Sequence, residues 1–502
     1  MTTSSWVQLR ALFGLRWQMI RSDGVRVALV LILVLLGWLM LLVAGGASAL
    51  EPAAFQTAVQ LAPQAFLGFG VLAVIAPLTT GGGNEIIPPD QVVAYPIRPR
   101  TQFVGGLLLA PVNLVWLLQI LALIAETSFL TRGGHVLPGA VTVVTYVTAL
   151  TSVGQGLAWA VVGLRQSRAG RQLVAFAGAG LLVCAVVVVK GGFGPTLLDH
   201  SPTRIVVGAV SAGAFGDWTR WGLTTAVLAA LTVAGLTAGE RMCGWALRRP
   251  GDAGAVRASK AVQRRKPHRS ALRTLVAVDR ASIWRAPALR RGALVLAVLP
   301  GIAAAGAQVP WQSLVVLPGL VAAGAGLLFG INAFCLDASG AVFLAALPHD
   351  PRLVAHSKVL VLGETVLGAV AVTAVAGSLR SPGTPSSTEL VAIVASALAC
   401  TAVVVCRGLA SSVRRPHKAE LNGPRDAVAP PGALALASVR LAIPAALVGV
   451  VMEGTATSNR WWMPLAVAVP LIALCALSLN RSLGRWADPA VRSRIVQTVS
   501  AG

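Results

Sequence analysis

Acidic residues are scarce in this chain: 18 Asp and Glu stand against 41 Lys and Arg in 502 residues, and the charged types together reach only 12%. A soluble protein carries roughly 25%, so water cannot be the main solvent. The six cysteines, Cys184, Cys243, Cys335, Cys400, Cys406 and Cys475, show no C-x-x-C spacing, so neither a disulfide framework nor a metal site is expected. Nothing fits G-x-x-x-x-G-K-[ST], the loop that cradles phosphates; Lys190 in "VVVVKGGFG" is the only lysine beside glycine. Of six histidines, only His349 and His356 with Asp350 between them are close, and that spacing on a proline-broken loop suits metal poorly. No catalytic, cofactor-binding or metal residue is therefore expected. A short basic start before an apolar core, the mark of a cleaved signal, is also missing.

What is abundant is apolar: 56% of the residues are hydrophobic and the mean hydropathy is +0.76. A helix needs about 20 mostly apolar residues to cross a bilayer core, where each backbone polar group must pair within its own segment. Six such runs come first: Val27–Ala49, Leu61–Thr80, Val104–Ala125, Val141–Gly163, Leu173–Val189 and Trp221–Ala238. Six more follow: Gly292–Val309, Leu314–Leu336, Val359–Gly377, Leu390–Cys406, Leu434–Met452 and Trp462–Leu479. Pro300 in the seventh run, and Arg440 with Pro444 in the eleventh, mark those two for kinks or partial interfacial placement. The expected fold is all-α and polytopic, with about twelve transmembrane helices in two six-helix halves, residues 1–240 and 292–502, joined by a basic segment 241–291.

Charge placement sets the expected orientation. With twelve alternating spans and a cytoplasmic N-terminus, roughly 34 of the 41 Lys and Arg fall on the cytoplasmic side and roughly six outside. Both termini and the linker "RRPGDAGAVRASKAVQRRKPHR" are then cytoplasmic, in a plasma or inner membrane. A net charge of +23 also suits nucleic acid, but basic stretches beside spans are topology signals and contacts to anionic lipid, so the expected partner is membrane lipid and no nucleic acid.

Each half opens with an amphipathic stretch, "SSWVQLRALFGLRWQMIRSD" and "SALRTLVAVDRASIWRAPALRR", suited to lying in the interface. After the second run of each half come "GGGNEIIPPDQVVAYPIRPRTQFVGG" and "FCLDASGAVFLAALPHDPRLVAHSK". At one constant offset Glu85 falls on Asp337, Ala94 on Ala346, Pro96 on Pro348, Pro99 on Pro351 and Arg100 on Arg352, which supports an internal duplication. Each loop reads as an acidic start, one or two apolar helical turns, then two prolines that end the helix, with Arg100, or Arg352 and Lys358, at the membrane surface. An ordinary surface turn shares those features; a stiff surface helix that docks a soluble partner is the other reading.

This order of interfacial helix, two spans and a proline-ended cytoplasmic loop resembles the permease subunits of type 2 ABC exporters. The resemblance implies that the amphipathic stretches are elbow helices and that the two loops carry coupling helices for an ATPase subunit. Their residues would be Glu85, Asp90, Tyr95, Pro96, Arg98 and Arg100 in one, and Asp337, Pro348, Asp350, Arg352 and Lys358 in the other. It implies two copies of a separate ATPase holding the ATP and Mg, with "LLDHSPTRIVVGAVSAGAFGDW" as outer re-entrant helices. Fusion of two units in one chain departs from the usual pattern, and the second half has only "EGTATSNR" after its fifth run.

Two other classes stay open. A proton- or sodium-coupled secondary transporter needs polar groups within the bilayer, for which Glu364, Asn113, Asn332 and Arg440 are the candidates, with Glu126 and Glu240 at span ends. Glu364 is equally able to pair with Arg440 or to reach the interface. A lipid-processing enzyme would need clustered carboxylates or histidines, and Asp199, His200 and Asp217 are a thin basis for one. An apolar path with few fixed charges favours lipid-like or amphipathic cargo.

Overall fold

The structure is a computed structural model that describes residues 62–71, 73–74, 97–109, 135–191, 201–249, 270–338, 340–417, 437–458 and 460–500, with isolated positions between 7 and 131. The described residues are mostly helical and include no strand. Seven of their helices are long and apolar enough to cross a membrane: Val136–Arg165, Trp218–Arg248, Trp311–Gly330, Pro351–Ser378, Ser387–Arg414, Val439–Ala456 and Met463–Ala487. Gln172–Leu181 and Gly292–Gly306 are shorter apolar helices. This is the architecture of a multi-pass membrane protein; the count of twelve is an expectation that goes beyond these seven. The expected span Val27–Ala49 and the linker residues 250–269 lie outside the described residues.

The chain divides into two compact units, residues 1–181 with 195–255, and residues 182–194 with 256–502. In the first unit the helices are α1 (Pro99–Leu109), α2 (Val136–Arg165), α3 (Arg168–Lys190, whose last turns fall in the other unit), α4 (Pro202–Ala214) and α5 (Trp218–Arg248). Small residues let α2 and α5 approach closely: a Cβ on Gly156 would stand 3.3 Å from the Gly239 Cα, and one on Gly235 only 2.4 Å from Ser152 Oγ. A core of Phe66, Phe69, Val143, Tyr146, Val206 and Val210 sits beside this pair. Buried in it, the Tyr146 hydroxyl donates to the Phe66 carbonyl at 2.7 Å, which satisfies the group away from water.

The second unit contains α6 (Ala271–Arg285), α7 (Pro287–Gly306), α8 (Trp311–Leu314) and α9 (Leu317–Ala325). After a π-helical turn at Gly326–Gly330 and a 3-10 turn at Cys335–Asp337 come α10 (Gly340–Ala346), α11 (Pro351–Ser378) and α12 (Ser387–Arg414). A second π-helical turn, Ser438–Ala442, leads into α13 (Ile443–Ala456), then α14 (Met463–Ala487) and α15 (Pro489–Ser500). The core gathers α9, α11, α12 and α13 around Val321, Val366, Val404 and Leu441. Pro300 has no N–H to give the Leu296 carbonyl; Thr373 Oγ1 of α11 reaches that carbonyl at 3.5 Å and donates to the neighbouring Ala297 O at 2.8 Å. Outward-facing Val375, Leu474 and Leu477 stay at least 60% exposed, an apolar surface suited to hydrocarbon.

Ser270 caps α6 by accepting from Arg273 N at 3.2 Å, so the second amphipathic stretch is a helix with a defined start. Ile283 is buried, whereas Val278 and Trp284 are exposed. Unanticipated was α15, which buries Ile495 and Val499 against the helix 340–346 region.

Candidate functional site

At the junction of α6, the 3-10 turn and α11, three ionised side chains meet. Lys358 Nζ donates to Asp279 Oδ1 at 2.6 Å and to Asp337 Oδ1 at 2.5 Å. Ser357, the preceding residue on α11, donates its hydroxyl to Asp279 Oδ2 at 2.7 Å. None of the three charged side chains is more than 10% exposed. Charges removed from water to this degree persist only when paired and hydrogen-bonded. Two carboxylates against one ammonium leave a formal charge of −1. Burial accordingly holds the Asp337 carboxyl above the usual carboxylate range, against the pull of Lys358.

The local sequence explains the placement. The spanning helix 311–330 ends in the π turn, and the chain then runs irregularly through Asn332 to Phe334. Ser412 of α12 holds this break by accepting from Ala333 N at 2.8 Å, while Asn332 donates its side-chain amide to the His417 carbonyl. Ala338, at φ 42°, turns the chain into α10. Asp350 then caps α11, accepting from Arg352 N at 2.9 Å, with Pro351 at the first helical position. Phe334 stacks on Trp486 at 4.2 Å between centroids, and the Trp486 indole donates to Pro351 O at 2.8 Å, so the end of α14 holds both ends of the segment.

A cavity of about 100 Å³ lies between this segment and the C-terminal helices, lined by Asp337, Leu344, His349, Trp486 and Arg492 among others. A smaller one of about 40 Å³ lies by Asp279 and Lys358, against Ile283, Phe329 and Asn332. Burial pushes the Cys335 thiol up to about 12, so it offers no thiolate nucleophile. Among the described residues no group of three or more His, Cys, Asp or Glu could hold a metal ion.

α10 and the residue after it present an apolar outer face: Val342 is 53%, Phe343 68% and Leu347 42% exposed. Pro348, Asp350 and Arg352 are at or near the surface beside it. Lys358 is not the surface cation that was expected; it and Asp337 are turned inward and occupied with each other and with Asp279. Glu364 pairs with neither Arg440 nor bulk solvent alone. Arg280 of α6 donates to it twice, Nε to Oε2 at 2.8 Å and Nη2 to Oε1 at 2.6 Å, with both side chains about half exposed. Its hydrogen bonds to Glu364, and then the charge of that carboxylate, hold Arg280 above its ordinary value. Asn332 serves the chain break rather than an open polar path, and Arg440 is exposed on the π turn at the start of its span.

In the first unit, Arg98 and Arg100 flank Pro99 at the start of α1 and are exposed. Glu85, Asp90, Tyr95, Pro96 and Asn113 lie outside the described residues. Asp279, Arg280, Ser357 and Trp486 were not anticipated. The signal for Asp279 was present, since it is the only acidic residue in the stretch from Ser270 to Arg291. Comparison with protein-family models, with curated proteins and with solved structures finds no match for this chain.

Proposed function

We propose that the chain is the membrane-embedded permease component of an ATP-driven transporter of the ABC exporter type, driven by a separate ATPase subunit that docks over α10. The observation carrying this reading is the exposed apolar face of Val342 and Phe343 on a short helix between two spanning helices, continued by Leu347 just after it and fastened from beneath by Lys358. A surface helix that is sticky outside and ionically anchored inside is suited to pass a rigid-body push into α11 and, through Asp279, into the amphipathic helix α6. Under the same reading the cargo is lipid-like or amphipathic, two ATPase copies engage the chain, and the basic segments face the cytoplasm of a plasma membrane.

The test is co-purification of the full chain with an ABC-type ATPase expressed alongside it. Phe343→Asp with Leu347→Asp should abolish co-purification while membrane insertion persists, because a carboxylate would then be desolvated at the contact. Undiminished co-purification would remove the docking assignment. Asp337 is a poor site for such a test, since reversing its charge would disrupt the buried cluster rather than a contact surface.

A proton-coupled carrier is the second reading, favoured by the same buried cluster of −1 formal charge lying beside two cavities. Transport that runs on a pH gradient in vesicles without ATP would select it.

A further inference from the structure

Four arginines gather at one end of the second unit, and among the described residues none meets a carboxylate. Arg407 and Arg414 lie seven residues apart on α12 and so share a face, Arg415 follows at the helix end, and Arg440 sits on the π turn Ser438–Ala442. All four are exposed. The two segments are in close contact: an added Cβ on Gly330 would meet Leu441 Cδ2 at 2.9 Å and the Gly408 Cα at 3.8 Å, which brings the neighbours Arg440 and Arg407 to one place. Arg440 accordingly feels the positive charges of Arg415, Arg414 and Arg407.

Two other cations of the same unit are paired with carboxylates. Lys358 has two aspartates and Arg280 has Glu364. Arg440 and the other three guanidinium groups repel, and an anion held among them relieves the repulsion. The guanidinium fork matches phosphate oxygens two at a time, better than any other cationic side chain. Beyond the arginines the surface turns aliphatic along the same helix face: Leu447 and Val451 lie seven and eleven residues after Arg440 and are 58% and 54% exposed. A π-helical turn at the boundary between the cationic and the aliphatic surface is the kind of helix irregularity that recurs at functional sites.

The geometry points to a binding site for an anionic phospholipid, its phosphate held among Arg407, Arg414, Arg415 and Arg440 and an acyl chain lying along Leu447 and Val451. This assignment is independent of the transporter reading, and it holds whether or not an ATPase docks on α10.

The experiment uses the full chain purified in a zwitterionic detergent and titrated with fluorescent phosphatidic acid, with the phosphatidylcholine analogue as comparison. A basic residue near an anionic lipid surface contributes about five-fold in affinity. Arg407→Gln with Arg440→Gln should therefore weaken phosphatidic acid about twenty-five-fold and leave phosphatidylcholine unchanged, while Arg460→Gln in the loop before α14 changes neither. Arg440→Lys, which keeps the charge and loses the fork, guards against misfolding of the double variant and should still weaken binding several-fold. Equal phosphatidic acid affinity in the wild type, the Lys variant and the double Gln variant would overturn the site. Displacement by inorganic phosphate as effective as by unlabelled phosphatidic acid would overturn the lipid as the source of the phosphate.

Discussion

Lys358 stands 2.6 Å from Asp279, seventy-nine residues earlier in the chain, and this contact joins an amphipathic helix to a spanning one. One residue further along α6 and six further along α11 the polarity is reversed: Arg280 of α6 reaches Glu364 of α11 at 2.6 Å. Two ionic links of opposite sense fix the register of α6 on α11, because a slide that relieved one would place like charges together at the other.

The two links differ in burial and so in consequence. Lys358→Met removes the only counter-charge that the described residues give to two carboxylates at most 10% exposed. A loss of about 3–5 kcal/mol is expected, read as a steep fall in apparent Tm and in yield from membranes. Adding Asp279→Asn and Asp337→Asn to Lys358→Met should recover much of it, since no unpaired charge is then buried. Recovery absent from the triple variant would mean that the cluster acts through shape and not charge.

At the exposed link, Glu364→Gln and Arg280→Gln should each shift the apparent Tm far less than Lys358→Met, because solvent screens both groups. Arg280→Glu is different, for it sets two carboxylates against each other on the flank of an apolar helix. Its cost should be relieved by Glu364→Arg in the same chain. A double reversal no better than the single one would show that the pairing does not exist in the membrane.

Acid should strengthen the junction over a limited range. Asp337 has a folded value raised by burial above the ordinary 3.8. The folded state therefore binds this proton more tightly than the unfolded state, so this contribution to stability grows as pH falls toward 3.8 and is lost as pH rises through the folded value. Thermal unfolding in detergent from about pH 7 to about pH 4.5 should show this slope in the wild type and a flatter one in Asp337→Asn. Identical slopes would assign the pH response to other groups.

Much of the second unit could be read from its residues. The runs beginning at Val359, Leu390 and Trp462 each fall on a spanning helix, since an apolar run of that length has few alternatives, and the Leu314–Leu336 run does so as far as Gly330. The described part of the Leu434 run is a span, Val439–Ala456, with Arg440 on the π turn Ser438–Ala442 and Pro444 in the first turn of α13. The loop motif gave a short helix at Gly340–Ala346 followed by proline, as its apolar turn and Pro348 implied. What the motif could not convey was direction. Asp337 and Lys358 are polar and sit near expected span ends, so they read as surface groups; only the arrival of Asp279 from a distant segment turns them inward. Partnership across seventy-nine positions has no local signature in one sequence.

A last expectation concerns how tightly the spanning helices meet. Gly319 of α9 and Gly449 of α13 face each other backbone to backbone: a Cβ on Gly319 would stand 2.8 Å from the Gly449 Cα, and one on Gly449 2.9 Å from the Gly319 Cα. Between helices in lipid the attraction comes from such close packing rather than from expulsion of water, so small residues at the crossing carry it. The intruding atom would meet main chain, which cannot rotate aside, and the helices must separate. Gly449→Leu should thus cost about 3 kcal/mol or more and lower the apparent Tm. Gly454→Leu, on the same helix where no atom lies within 4 Å of an added Cβ, should leave it nearly unchanged. Equal effects at the two positions would mean that α9 and α13 do not cross at these glycines.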